Sequence, residues 1–301
     1  MAYALQEASS NEERNRLHYD ERYRVTDVDQ LVDAIRAMPA WFEAQITTHN
    51  SWRGLYHGDF ASEIEGARVL ELGAGDGLNA LVMAALGAHV VATDISAMTP
   101  HLVNAASAKV ALRGSIEAFG GPIDGWADAI EPGSFDFVVG KAILHHLTHD
   151  EESEFLRFVS TAMRLDGAGR FLEPAVNSKT LDAVRWAVPV PGRPSSFQKE
   201  AFAAYRAADP HPIRDNSSGH YLASASRYFG RVETVPSGTI ERFNRLFPKA
   251  RFNHAFRRAA FAVEDKIPDR VQLPFARTQL IKLARPTTSL ALPFPRFGAA
   301  G

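Results

Sequence analysis

The sequence predicts an α/β protein built on a doubly wound, mostly parallel sheet, preceded by a helical segment and interrupted by a helical cap. Three observations carry this expectation. From Arg68 to about Pro174 short apolar runs alternate with stretches of helical periodicity, the pattern of successive βαβ units. The strand candidates are apolar on both faces, as strands are when helices cover both sides of a sheet. The first of them runs into a glycine-rich turn, Glu71-Leu72-Gly73-Ala74-Gly75-Asp76-Gly77, and then into an apolar helical run.

In chain order, residues 1–65 form a polar and aromatic lid segment. Within it Val28, Leu31, Val32 and Ile35 fall at helical spacing, and that helix ends before Pro39. Residues 66–175 are the core, with strands at Arg68–Leu72, His89–Thr93, Phe135–Val139 and Gly169–Glu173. A weaker strand lies near Lys109–Leu112 or Ile123–Ala127. Helices are expected at Leu78–Leu86 and Glu151–Met163, with Asp150 and Glu151 as helix-start caps. Residues 176–226, rich in proline, serine and arginine, form the cap. Residues 227–301 complete the core with a strand at Arg231–Val235, a helix over Thr239–Glu264 broken at Pro248, and a last strand at Thr278–Ala284. The tail from Pro286 is irregular.

A chain of 301 residues has ample length for a proper core, so size alone demands no metal or disulfide staple. The absence of cysteine excludes disulfides, thiolate metal sites and a cysteine nucleophile. A net charge of −2 argues against a nucleic-acid partner. The N-terminus lacks the apolar stretch of a secretory signal, and no run approaches the roughly 18 apolar residues of a membrane span. A cytoplasmic protein with no membrane partner is therefore expected, either a monomer or a homodimer.

The glycine turn lets the backbone reverse sharply and lets a ligand approach main-chain N–H groups at a helix N-terminus. Its spacing is GxGxG. The dinucleotide fingerprint would need glycine at position 78, which is Leu78, so a nicotinamide cofactor is disfavoured. The second strand ends in Asp94, which can accept both ribose hydroxyls of an adenosine group or, with Ser96, cap the helix that follows.

These residues resemble the cofactor half of the Rossmann-like class I S-adenosylmethionine-dependent methyltransferases, of the small-molecule type. The resemblance extends through Asp128-Ala129, Gly133-Ser134-Phe135-Asp136-Phe137-Val138-Val139, Ile143-Leu144-His145-His146-Leu147 and the approach Met163–Gly169 to the fifth strand. It implies S-adenosyl-L-methionine as cofactor. Gly73, Gly75 and Gly77 would line the methionine and ribose portion, and Glu71 would hold the amino group directly or through water. Asp94 would take the ribose hydroxyls and Ile95 would pack on adenine. Asp128 would accept from the adenine amino group, with the Ala129 N–H on a ring nitrogen. Gly140 and Lys141 would sit beside the methionine moiety. Lys141 departs from the family's small or polar residue and must point away from a sulfonium or pair with a carboxylate. His18, Tyr19 and Tyr23 resemble lid residues that close over the cofactor.

The implied reaction is methyl transfer to an oxygen or nitrogen of a small metabolite. Same-fold enzymes that consume the cofactor by cyclisation or aminocarboxypropyl transfer, and a non-catalytic binding module, remain alternatives. His145 and His146 follow the fourth strand and include a candidate general base. Glu173, at the carboxyl edge of the sheet, is placed to contact the acceptor or to orient a histidine. No metal is called for. Residues 176–265 hold 14 Lys and Arg against 8 Asp and Glu, so Arg185, Arg214 and His220 are the candidates to bind an anionic acceptor. Phe243, Phe247, Phe252, Phe256 and Phe261 lie near helical spacing and are expected in the core.

Overall fold

The computed structural model describes residues 10–190, 192–209, 211–247 and 251–287. Pro210, the expected break at Pro248 and the tail beyond Thr287 lie outside the described residues.

Seven strands form one sheet in the order β3-β2-β1-β4-β5-β7-β6. They are β1 (Arg68–Leu72), β2 (His89–Asp94), β3 (Ser115–Gly120), β4 (Phe135–Lys141), β5 (Met163–Pro174), β6 (Phe229–Ser237) and β7 (Thr278–Pro286). The first five pair in parallel, and β7 inserts antiparallel between β5 and β6. The order reverses at β1, and ligands of open α/β sheets bind outside the carboxyl ends of the strands at such a point. Leu72, Asp94, Lys141 and Glu173 all lie at or next to those ends.

The third strand lies away from both positions expected from sequence, and the first part of the helix expected over Thr239–Glu264 is a 3-10 turn at Glu241–Leu246. Strand β3 is Ser115–Gly120, between the two expected positions. As an edge strand it shows an exposed and half-buried alternation rather than a doubly apolar run. Ile123–Gly125 and Ala127–Ala129 are instead single 3-10 turns.

Among the described residues four N-terminal helices precede the sheet, α1 (Asn11–Arg24), α2 (Val28–Arg36), α3 (Ala40–Thr48) and α4 (Asn50–Leu55), followed by the short α5 (Phe60–Glu63). Ser10 caps α1 by accepting from Glu13 N–H at 3.0 Å, and acids in the first turn with arginines in the last suit the helix dipole. The crossovers are α6 (Leu78–Ala85), α7 (Met98–Ser107) and α8 (His149–Ala162). A capping box between Thr148 and Glu151 starts α8, two residues before the expected boundary.

Between β5 and β6 the chain forms α9 (Lys179–Ala187), α10 (Lys199–Ala207) and α11 (Ser218–Ala225). Between β6 and β7 come a 3-10 turn at Glu241–Leu246, α12 (Arg251–Glu264) and the short α13 (Asp269–Gln272). Apolar clusters cover both faces of the sheet, one centred on Leu55, Phe60, Val69 and Leu81, the other on Leu70, Phe135, Phe158 and Phe171. Phe261 is buried, but Phe243, Phe247 and Phe252 are exposed, so the phenylalanine series does not form a common core. Arg170 on β5 is buried and donates to the Leu55 and His57 carbonyls, tying the N-terminal helices to the sheet. Among the described residues no helix is long and apolar enough to cross a membrane.

Candidate active site

The turn after β1 places Gly73, Gly75 and Gly77 at φ of 72°, 65° and 82°, values that L side chains rarely adopt. A Cβ on Gly73 would meet Ile143 Cδ1 at 2.7 Å, and one on Gly77 would strike Val103. The turn therefore needs glycine for conformation and for close packing alike.

Glu71 ends up buried beside it. Asn79 Nδ2 donates to Oε1 at 2.7 Å, while Oε2 is enclosed without a hydrogen-bond partner. Burial pushes this carboxyl up to about 8, against the opposing influence of Asn79 and of the Lys141 charge. Lys141 resolves its departure from the family pattern by pointing over the Trp52 ring, 4.5 Å from the centroid. Burial lowers its pKa, and Glu71 works the other way.

Asp94 accepts from Gly75 N–H and from Ser96 N–H, both at 2.8 Å, so it braces the turn and starts the next helix together. Burial pushes it up to about 6 despite those two bonds. Ile95 beside it is half-buried, and Gly140 is packed so closely by Phe171 and Ile143 that a Cβ would lie 2.7 Å from Phe171. Asp128 and Ala129 are exposed, and the Ala129 N–H is spent on Trp126 O at 3.0 Å. Asp124, in the first turn after β3, lies near enough to α1 for its charge to add to the burial that raises the Glu12 pKa.

Helix α1 lies across this end of the sheet. Asp20 accepts from Ser96 Oγ at 2.7 Å and from Ala97 N–H at 3.0 Å. The Tyr23 hydroxyl oxygen stands 3.1 Å from where a Gly75 Cβ would be, and Tyr19 and Tyr23 stack at 5.4 Å. Burial pushes the Tyr19 phenol up to about 12.

The second half of the site is the turn Ile143–Leu147. Glu173, fully buried at the end of β5, accepts from the Ile143 and Leu144 N–H groups at 2.9 and 2.8 Å and from His145 N–H at 3.3 Å. Its Oε2 also takes His145 Nδ1 at 2.7 Å. Arg214 holds the other side, donating to the Leu144 and Leu147 carbonyls at 2.7 and 2.6 Å while pairing with buried Glu152. His220 approaches the same Glu152 at 3.1 Å. Arg214 and His220 thus spend their polar groups on the histidine turn and its support. Arg185 lies on the cap surface beside Asp182 and Trp186.

Asn11 Nδ2 donates to His146 O at 2.8 Å, and Asn15 Oδ1 meets His146 Nδ1 at 3.1 Å. Tyr19 OH reaches His146 Nε2 at 3.1 Å, and His211 Nε2 stands 3.2 Å from that same atom. Burial holds the His146 imidazole well below its ordinary pKa, with the neighbouring His145 and His211 adding to the effect. Sequence reasoning missed Asn11 and Asn15. Their signal is the i,i+4 series Asn11, Asn15, Tyr19, Tyr23, which marks one helix face even though it is not apolar.

Residues 69–167 match the family model for a methyltransferase domain. No curated protein matches. The fold is similar to that of geranyl diphosphate C-methyltransferase from Streptomyces coelicolor A3(2), solved with Mg2+, geranyl diphosphate and S-adenosyl-L-homocysteine. That likeness has a TM-score of 0.55 at 13% identity, covering 92% of this chain and 98% of the other. Phosphoethanolamine N-methyltransferase 2 from Haemonchus contortus aligns with a TM-score of 0.48 at 14% identity over 88% of this chain, which spans 61% of that protein's length. An arsenic(III) S-adenosylmethionine methyltransferase from Chlamydomonas reinhardtii aligns with a TM-score of 0.41 at 18% identity, over 84% and 71% of the two chains. Residues 69–167 are thus a methyltransferase domain by the family model, and the chain as a whole has the fold of the geranyl diphosphate enzyme. The residues present suit S-adenosylmethionine, because the enclosed Glu71 Oε2 is an acceptor still lacking a donor and the glycine turn leaves the backbone bare.

Proposed function

We propose that this protein moves a methyl group from S-adenosylmethionine to an oxygen or nitrogen of a small-molecule acceptor that enters beside His145. When bound, the cofactor supplies a methyl group already activated by its sulfonium. The chain contributes positioning, exclusion of water and custody of the acceptor's proton.

In this reading Glu71 Oε2 accepts from the amino group, and the remaining lone pairs of Asp94 take the ribose hydroxyls. Tyr19 and Tyr23 cover the site from α1. Asp128 and, one turn before it, Asp124 are the acids on offer at the adenine edge. The observation that carries the catalytic part is the Glu173–His145 contact at 2.7 Å. A carboxylate can only accept, so it keeps the proton on Nδ1 and leaves Nε2 as a bare lone pair able to receive one from the acceptor. Residues 176–226 supply the cap over the acceptor, with Arg185, paired to Asp182 at the surface, as a cation for an anionic group.

The test is product analysis after incubation with S-adenosylmethionine and a pool of hydroxylated and amino metabolites. Accumulation of S-adenosylhomocysteine is expected. Methylthioadenosine as the product would mean that another part of the cofactor is transferred, and the proposal would fall.

A further inference from the structure

Three imidazoles converge above the carboxyl end of β4, two from the turn after that strand and one from the cap. His145, His146 and His211 each offer a ring nitrogen, and these atoms lie within 4.8 Å of one another. The ring centroids are 4.3 Å apart for His145–His146, 4.1 Å for His146–His211 and 4.8 Å for His145–His211.

Every Nδ1 in the group is already committed. Glu173 fixes the proton on His145 Nδ1, and Asp209 does the same for His211 through a direct contact. Asn15 Nδ2 donates to Asn11 O at 2.9 Å, which turns Oδ1 toward His146 Nδ1 and makes that nitrogen a donor as well. All three Nε2 atoms therefore carry lone pairs when the rings are neutral. His146 Nε2 has a single lone pair, with Tyr19 OH at 3.1 Å and His211 Nε2 at 3.2 Å both facing it, and Tyr19 must give it up for an ion to take it. Two lone pairs so placed repel unless a cation lies between them. A tetrahedral zinc ion with bonds of about 2.0–2.1 Å separates its nitrogen ligands by about 3.3–3.4 Å, close to the 3.2 Å between His146 and His211. The His145 nitrogen, within 4.8 Å, has only to close in.

We propose that His145, His146 and His211 form a tris-imidazole site for a divalent transition-metal ion of the zinc type, with Glu173, Asp209 and Asn15 as the outer partners that set the tautomers. Nitrogen ligands alone suit zinc, copper, iron or nickel and not magnesium or calcium. The outer hydrogen bonds are those that orient metal-bound histidines elsewhere. Three protein ligands leave coordination room for water or for an acceptor oxygen or nitrogen, whose proton an adjacent cation makes easier to lose. Ligation and proton capture are exclusive at His145 Nε2, so with the ion bound the acidifying role passes to the metal. The site revises the expectation from sequence that no metal takes part. It shares residues with the methyl-transfer reading but does not rest on it.

The experiment is a Co2+ titration of the chelator-treated full-length protein, followed by the visible d–d absorption of a tetrahedral complex. S-adenosylhomocysteine calorimetry runs in parallel as a check that each variant is folded. A saturable band is expected in the wild type, displaced by Zn2+. His211→Ala should weaken Co2+ binding by at least about 100-fold, and Asp209→Asn by about 10–100-fold, with S-adenosylhomocysteine affinity unchanged in both. No band in the wild type, or equal affinity in His211→Ala and wild type, overturns the site. Failure of S-adenosylhomocysteine to bind the wild type would count against the cofactor reading alone, because the metal titration does not use it.

Discussion

The glycine turn and the histidine turn stand side by side at the same end of the sheet, but they are held in place by opposite means. The first is a backbone device. Three glycines with positive φ, the helix that follows and Asp94 fix it within about one βαβ unit. The second is a side-chain device. Its N–H groups go to Glu173, its carbonyls to Arg214 and Asn11, and its imidazoles to Asn15, Tyr19 and His211. Those partners come from α1, β5 and the cap, up to 135 residues away in sequence. A cofactor common to a whole family suits a local motif, whereas an acceptor particular to one member suits a turn assembled from the variable parts of the chain.

The largest effect that would break this contrast concerns the clamp on the histidine turn. Arg214→Met leaves Glu152 buried with only His220 nearby, and should cost about 3–5 kcal/mol of folding stability in denaturant titration. The double variant with Glu152→Gln should recover much of that. A loss below about 1 kcal/mol would show that the turn does not depend on the clamp. Glu173→Gln keeps the shape but removes the acceptor that sets the His145 tautomer. Turnover should fall roughly 100-fold while S-adenosylhomocysteine affinity stays near wild type; a parallel loss of affinity would mean that the two halves are not separable.

On the cofactor side, Asp94→Ala should weaken S-adenosylhomocysteine binding by roughly 1–3 kcal/mol with little change in the histidine turn. Unchanged affinity in calorimetry would remove the ribose assignment. The smallest effect concerns protons. Glu71, pushed up to about 8, keeps its proton in the free protein near pH 7, and an ammonium group beside Oε2 favours the carboxylate. Cofactor binding at pH 7 should therefore release a fraction of a proton, visible as a dependence of the binding enthalpy on the buffer's ionisation enthalpy. The same shift has a stability sign. The folded state holds this proton more tightly than the unfolded one, so stability relative to Glu71→Gln is highest below about pH 4.5 and falls as pH rises toward about 8. A flat difference across that window would place the shift elsewhere.

The same contrast explains what was legible in the sequence. β1, β2, β4 and the turn that leaves β1 could be read because short runs apolar on both faces, glycine spacing and a terminal acid are local signals. Six of the seven strands lie where expected, and the edge strand β3 escaped because one solvated side erased its apolar signature. Asp128 was chosen by its place in a motif, but two 3-10 turns after β3 carry it to the surface. Arg214 and His220 read as free cations because sequence does not show that Glu152 lies buried between them. Asn15 left only the faint mark of one polar helix face, and His211 gave no sign of its partner on another element. Their meaning comes only from folding the cap and α1 onto one turn.

Helix α1 has a further consequence for motion. Through Asp20 it grips Ser96 and Ala97 at the mouth of the nucleotide half, and through Asn11, Asn15 and Tyr19 it grips His146. The two grips belong to one rigid element, so displacing that helix strips His146 of its outer partners. Loosening of α1 would therefore reach both turns together, freeing Ser96 and Ala97 from Asp20 as His146 loses Asn11, Asn15 and Tyr19.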